Sequence, residues 1–207
     1  MLLLPSNLTP FGSVSPHTEL RCLKSTSKEI FLSNEYYFDT SKSDPKIIDC
    51  GAHIGMSILF FKKLYPTSSI IAFEPNPYAF QLLEKNIKQN DLTNIQLFNI
   101  GLSNINGEID FFMNNNKGTL KGSFISERGG ENKIIVETQK LSKIINTNVF
   151  DLIKIDIEGG EFRLFDEIDL NLVDIIVMEV HMYNNHPDLN LFDIKNVKKI
   201  LDKLDNN

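Results

Sequence analysis

Carboxylates recur in this sequence where short apolar runs break into turns. Asp49 opens Asp49-Cys50-Gly51-Ala52-His53-Ile54-Gly55, and Glu74 opens Glu74-Pro75-Asn76. Asp156, Glu158 and Glu161 share one turn, and Glu179 stands in Glu179-Val180-His181. A carboxylate following the second strand of an α/β fold, as Glu74 does about 25 residues after Asp49, accepts hydrogen bonds from both hydroxyls of a ribose. An amide there could accept at one oxygen only. The first turn has Gly-x-x-x-Gly spacing, with Gly51 and Gly55, rather than the G-x-G-x-x-G that cradles a pyrophosphate. Asp49 just before that turn suits a cationic amine. A ribose joined to a cationic amino acid, with no pyrophosphate, describes S-adenosylmethionine.

The elements that must hold these residues follow from hydrophobic patterning. Lys46–Cys50, Ser69–Phe73, Ile95–Asn99, Phe150–Asp156 and Val173–Val180 are short, nearly continuous apolar runs, as expected of parallel strands covered on both faces. Ile54, Ile58, Phe61 and Tyr65 recur at helical spacing, as do Phe80, Leu83 and Ile87 after the capping pair Asn76-Pro77. A further helix is expected from about Gly160, with Phe162, Phe165 and Ile168 on one side, and a last one through Ile194, Val197, Leu201 and Leu204. Alternation of strands and helices predicts a doubly wound, mostly parallel sheet over residues 46–207. In such a sheet ligands bind beyond the carboxyl ends of the strands, where all of these carboxylates lie. Glu108–Met113 and Lys133–Glu137 read as two more strands flanking a polar, glycine-containing segment. Residues 1–45 read as an N-terminal arm, with Ile30, Leu32, Tyr36 and Phe38 alternating as in an edge hairpin.

Composition narrows the classes. The 207 residues carry a formal net charge of −6, 42% hydrophobic and 23% charged residues, which is ordinary for a globular domain and excludes global disorder. A nucleic-acid-wrapping domain would be basic, so no nucleic-acid partner is expected. Two cysteines, Cys22 and Cys50, make no disulfide scaffold. The opening Met1-Leu2-Leu3-Leu4-Pro5 is too short and lacks the basic region of a signal peptide, and no run reaches the ~20 apolar residues of a membrane span. The expected setting is the cytoplasm, with no membrane partner.

Three stretches resemble the signatures of FkbM-type S-adenosylmethionine-dependent methyltransferases: Asp49 to Gly55, Ala72 to Pro77, and above all Asp151-Leu152-Ile153-Lys154-Ile155-Asp156-Ile157-Glu158-Gly159-Gly160-Glu161. Glu179-Val180-His181 is similar to the family's acid–x–His. The resemblance implies a class I methyltransferase (Rossmann-like) fold, S-adenosyl-L-methionine as cofactor, and O-methylation of a sugar or small-metabolite hydroxyl. It assigns Asp49, Gly51, Ala52, His53 and Gly55 to the methionine part, and Glu74, flanked by Pro75 and Asn76, to the ribose. It places Asn99, Gly101 and Leu102 beside the adenine, and Asp156 near the methyl group, with Glu158 and Glu161 behind it. The family usually has Asn where this chain has His53. It also ends its sheet with a further strand pair; here only the expected last helix and residues 202–207 follow the fifth strand, so that pair is not expected. The open edge suggests pairing with another copy.

A hydroxyl acceptor must lose its proton as it attacks, and the candidate bases are His181, Asp156 and Glu158. Asp156, Glu179 and His181 could converge on a divalent ion, although no metal site is assigned. Gly118–Gly130, with Ser123, Phe124 and Arg128, is the expected substrate lid. Lys154 is expected to lay its stem along the sheet edge or over a helix and has no assigned role. Two other functions share these elements: a non-catalytic or truncated cofactor-binding or assembly protein, and a nicotinamide-dependent oxidoreductase. The latter would want the G-x-G-x-x-G turn that is absent.

Overall fold

A computed structural model describes residues 28–114, 122–146 and 148–181. The arm before Lys28 and the helix expected through Ile194 and Leu204 lie outside the described residues. The opening βαβαβ unit runs as the periodicity predicts: β1 (Lys46–Cys50), α1 (Met56–Leu64), β2 (Ser69–Phe73), α2 (Pro77–Gln89) and β3 (Ile95–Phe98). α2 begins where Asn76 accepts hydrogen bonds from the amides of Tyr78 and Ala79, with Pro77 in the first helical position.

The chain then leaves the sheet. β4 (Gly101–Ser103), β5 (Gly107–Met113), β6 (Gly122–Ser123) and β7 (Asn132–Lys140) form a second sheet in the order β4-β7-β5-β6, with the short α3 (Ser126–Gly129) between β6 and β7. The two strands expected here pair antiparallel, Gly107 opposite Thr138 through Met113 opposite Asn132. β4 and β6 are only three and two residues long, too short for a pattern to show. After α4 (Leu141–Ile145), β8 (Phe150–Ile155), α5 (Glu161–Phe165) and β9 (Val173–Met178) complete the described fold.

The main sheet has the order β3-β2-β1-β8-β9 and every pairing in it is parallel. Strand order reverses between β1 and β8, so the crevice for a ligand lies beyond Cys50 and Ile155, which are register partners. Side chains alternate across the strands. Ile47, Ile70, Ala72 and Leu152 face the core under α1 and α2, and Ile48, Phe73, Ile153 and Ile155 face the core formed with Leu141, Leu164 and Phe165. β9 is the edge strand on its side among the described residues.

The hairpin expected within residues 29–39 is not what forms. Residues 28–45 contain no strand; Lys28–Leu32 make a π-helical turn. Ile30, Phe31, Tyr36 and Phe38 are buried while Leu32 is 58% exposed. Phe31 packs edge-on to Phe60, and Phe38 onto Phe61 and Tyr65. α1 is consequently covered on its outer side too, and Met56 through Lys62 are all buried. Aromatic packing onto α1 sets this segment's conformation, and the alternation in its sequence is incidental.

Candidate functional site

The turn after β1 reverses through three left-handed residues: Gly51 (φ +85°), His53 (φ +50°) and Gly55 (φ +89°). The amides of Gly51 and Ala52 both donate to the carbonyl of Phe73, pinning the turn to the end of β2. His53 holds a left-handed conformation that Asn and His tolerate better than most residues. A Cβ on Gly51 would lie 1.9 Å from the carbonyl oxygen of Asp156, so this glycine lets the β1 and β8 turns meet. Gly51→Ala is therefore expected to lower stability by more than about 2 kcal/mol, combining left-handed strain with a backbone clash. An unchanged urea midpoint would refute this. Gly55 serves packing: its Cβ would fall 2.6 Å from Leu83 of α2.

Glu74 is almost fully enclosed, 6% exposed. Its Oε2 accepts from the His53 amide and its Oε1 from the Asn76 amide, each at 2.8 Å. Burial pushes its carboxyl up to about 7, although those amides and Lys154 favour the ionised form. Asn99 braces the same loop, donating from Nδ2 to the carbonyls of Glu74 (2.7 Å) and Pro75 (3.2 Å). Gly101 and Leu102 are buried in β4, Gly101 beneath the ring of Phe124 and Leu102 in the core.

The expectation for Asp49 needs correction. Asp49 is completely buried. Its Oδ2 accepts from Ser57 of α1 at 2.5 Å, and its Oδ1 is 3.2 Å from Nζ of Lys154. It is turned inward, and Lys154 is what holds it there. The two residues are direct register partners on neighbouring parallel strands, so their side chains emerge on the same face. Lys154, likewise, does not lie along a sheet edge. Its side chain is 2% exposed, and its Nζ donates to the carbonyl of Gly51 at 2.6 Å, stands 3.7 Å from Asp156 Oδ2 and lies over the ring of Tyr36 at 5.0 Å. Burial works against the ammonium, but Asp49 and Asp156 outweigh it and raise the pKa.

Asp156 is the carboxylate of this group that faces outward, its side chain 21% exposed. Tyr36 donates to its Oδ2 at 2.8 Å. Burial would raise the Asp156 carboxyl; Lys154, the Tyr36 hydroxyl and the nearby histidines hold it below its ordinary value.

Beyond β9, His181 is bracketed by acids. Its Nδ1 lies 2.9 Å from Glu161 Oε1, and its Nε2 lies 3.1 Å from Glu179 and 3.6 Å from Glu158. One atom each of Asp156, Glu179 and His181 lie within 4.8 Å of one another. From the expected lid, Arg128 pairs with the Glu158 carboxylate and Ser123 donates to the Glu158 carbonyl at 2.6 Å. Residues 118–121 of that lid lie outside the described residues. The site thus gathers the ends of β1, β2, β8 and β9, the β6–α3 segment and the N-terminal segment.

Comparison with known proteins now bears on this arrangement. The profile of the Methyltransferase FkbM domain matches residues 49–206. The chain belongs to the FkbM methyltransferase family. It is similar to Methyltransferase sdnD of Sordaria araneosa, 30% identical over 174 residues that cover 69% of this chain and 67% of that one. It is also similar to 2-O-methyltransferase NoeI of Sinorhizobium fredii, 30% identical over 137 residues, 58% of this chain and 56% of that one. Among solved structures, residues 942–1257 of StiE O-MT superpose with a TM-score of 0.51 at 10% identity, covering 89% of this chain and 53% of that chain. That likeness concerns the fold, and with the observed strand order it bears out the expected class I methyltransferase architecture.

The FkbM match begins at Asp49, so Tyr36 reaches the site from outside the matched domain. Sequence reading missed Tyr36 and Lys154. For Lys154 a signal existed: a lysine between Ile153 and Ile155 and an aspartate between Ile48 and Cys50, each inside a buried strand, must find an opposite charge. For Tyr36 nothing in the local pattern pointed to Asp156.

Proposed function

We propose that this FkbM-family chain uses S-adenosylmethionine to methylate a hydroxyl of a sugar or small metabolite. The observation that carries this reading is the enclosed Glu74 carboxylate beyond β2. Each of its oxygens accepts one amide, which leaves a lone pair on each for two vicinal ribose hydroxyls. Asp156, anionic and partly exposed at the switch point, takes the amine-facing role that Asp49 cannot, since Asp49 is spent on Lys154 and Ser57. S-adenosylmethionine supplies a sulfonium methyl group when bound. The chain's own tasks are to align the acceptor and to receive its proton, which we assign to Nε2 of His181 in the neutral form of its ring. The name of the relative NoeI, a 2-O-methyltransferase, supports a hydroxyl acceptor.

The test is calorimetric titration with S-adenosylmethionine and S-adenosylhomocysteine, followed by transfer of a labelled methyl group to a panel of sugars and hydroxylated metabolites. Micromolar binding with label in an acid-stable ether product is expected. Absence of binding at millimolar cofactor would overturn the reading.

A further inference from the structure

We infer that Glu161 is the positioning residue for His181, holding its Nδ1–H so that Nε2 is the nitrogen presented to an acceptor hydroxyl. Glu161 is the first residue of α5 and is completely buried. Its Oε1 accepts from the amide of Gly159 at 2.8 Å and meets His181 Nδ1 at 2.9 Å. Gly159 in turn takes a left-handed φ of +116°, and a Cβ there would press on Ile125. The turn therefore fixes the carboxylate, and the carboxylate fixes the ring. A buried acid on one imidazole nitrogen sets the tautomer and orientation of the other, the logic by which an aspartate serves a catalytic histidine in hydrolases.

The surroundings decide the charge. His181 faces Glu161 from α5, Glu158 from the turn before it, Asp156 at the end of β8 and Glu179 beyond β9. Arg128 of α3 is paired with Glu158, and Glu35 of the N-terminal segment lies near Glu179 and Asp156. Burial disfavours the imidazolium, but Glu161 and Glu179 outweigh it and raise the pKa to about 9. Glu179 is half exposed and can swing away, whereas Glu161 cannot.

This role rests on the proposed methyl transfer, but its test does not. Histidine-selective ¹⁵N NMR on the full chain, with His181→Asn to assign the signal, reads the ring directly. In the unmodified protein above pH 9.5 the neutral ring should carry its proton on Nδ1; a proton on Nε2 would overturn the inference. In Glu161→Gln, which keeps the shape and an acceptor oxygen, the His181 titration should fall by about one to three pH units. A titration that stays near 9 in a folded Glu161→Gln protein would also overturn it. If Glu161→Gln does not fold, the tautomer measurement decides alone. Where methyl transfer can be assayed, the acid limb of kcat should move to lower pH by the same amount. Failure of cofactor binding would sink the methyl-transfer reading while leaving the NMR result standing.

Discussion

Lys154→Met should cost the protein about 3–5 kcal/mol of folding stability, the range for removing one partner of a buried ion pair. The substitution fills the same space but leaves Asp49 fully buried with only the Ser57 hydroxyl, and removes the bond from Nζ to the Gly51 carbonyl. For a chain of this size that corresponds to a fall in Tm of roughly 6–20 °C. Asp49→Asn in the same background should recover much of the loss, because the stranded charge is then gone. The double-mutant cycle consequently returns a large coupling between two side chains that are register partners. A change in Tm below about 2 °C in Lys154→Met would mean that water reaches Asp49 and that the pair does not organise the turn. Asp156 provides a second readout. With Lys154 gone it loses the strongest of its favourable charges, so its carboxyl should titrate at higher pH than in the unmodified protein.

Glu74→Ala should weaken S-adenosylmethionine by on the order of a hundredfold or more, since two hydrogen bonds to a charged acceptor are lost at roughly 1.5–3 kcal/mol each. Calorimetry measures this directly, and an affinity within about threefold of the unmodified protein would remove Glu74 from the site. The pH dependence gives an independent check. A carboxyl at about 7 in the folded state, against about 4.5 when unperturbed, binds more proton folded than unfolded in that window. Stability therefore falls as pH rises from about 4.5 to 7, the reverse of the usual carboxylate behaviour. If Glu74 holds the ribose as proposed, the hydroxyls donate to the ionised form, and affinity should rise over the upper part of the same window and level off above it. Glu74→Ala should flatten both slopes.

These two residues show how much of the site could be read before the fold was seen. The position of Glu74 was legible because its neighbourhood is local: a short apolar strand, a carboxylate at its end, and a capped helix three residues on. The five parallel strands were legible for a similar reason, as continuous apolar runs separated by amphipathic helices. β4 and β6 were not, being too short to carry a period, and neither was the conformation of residues 28–38, where packing of Phe31 and Phe38 onto α1 overrides the alternation.

Which carboxylate faces a ligand, by contrast, is not written in spacing. Asp49 and Asp156 both sit at strand ends, in two signature stretches of the same family, and composition cannot rank them. Their fates separate only when β8 comes to lie beside β1, about a hundred residues later in the chain, with Asp49 opposite Lys154. That register neutralises one acid inside the sheet and leaves the other partly exposed at its rim, where Tyr36 arrives from a different end of the chain. Residue type and local periodicity specify which groups are available and on which element each one rides. Long-range pairing specifies which charges meet, because electrostatic partnership depends on distance in space, and a buried charge will turn toward whatever partner the register supplies.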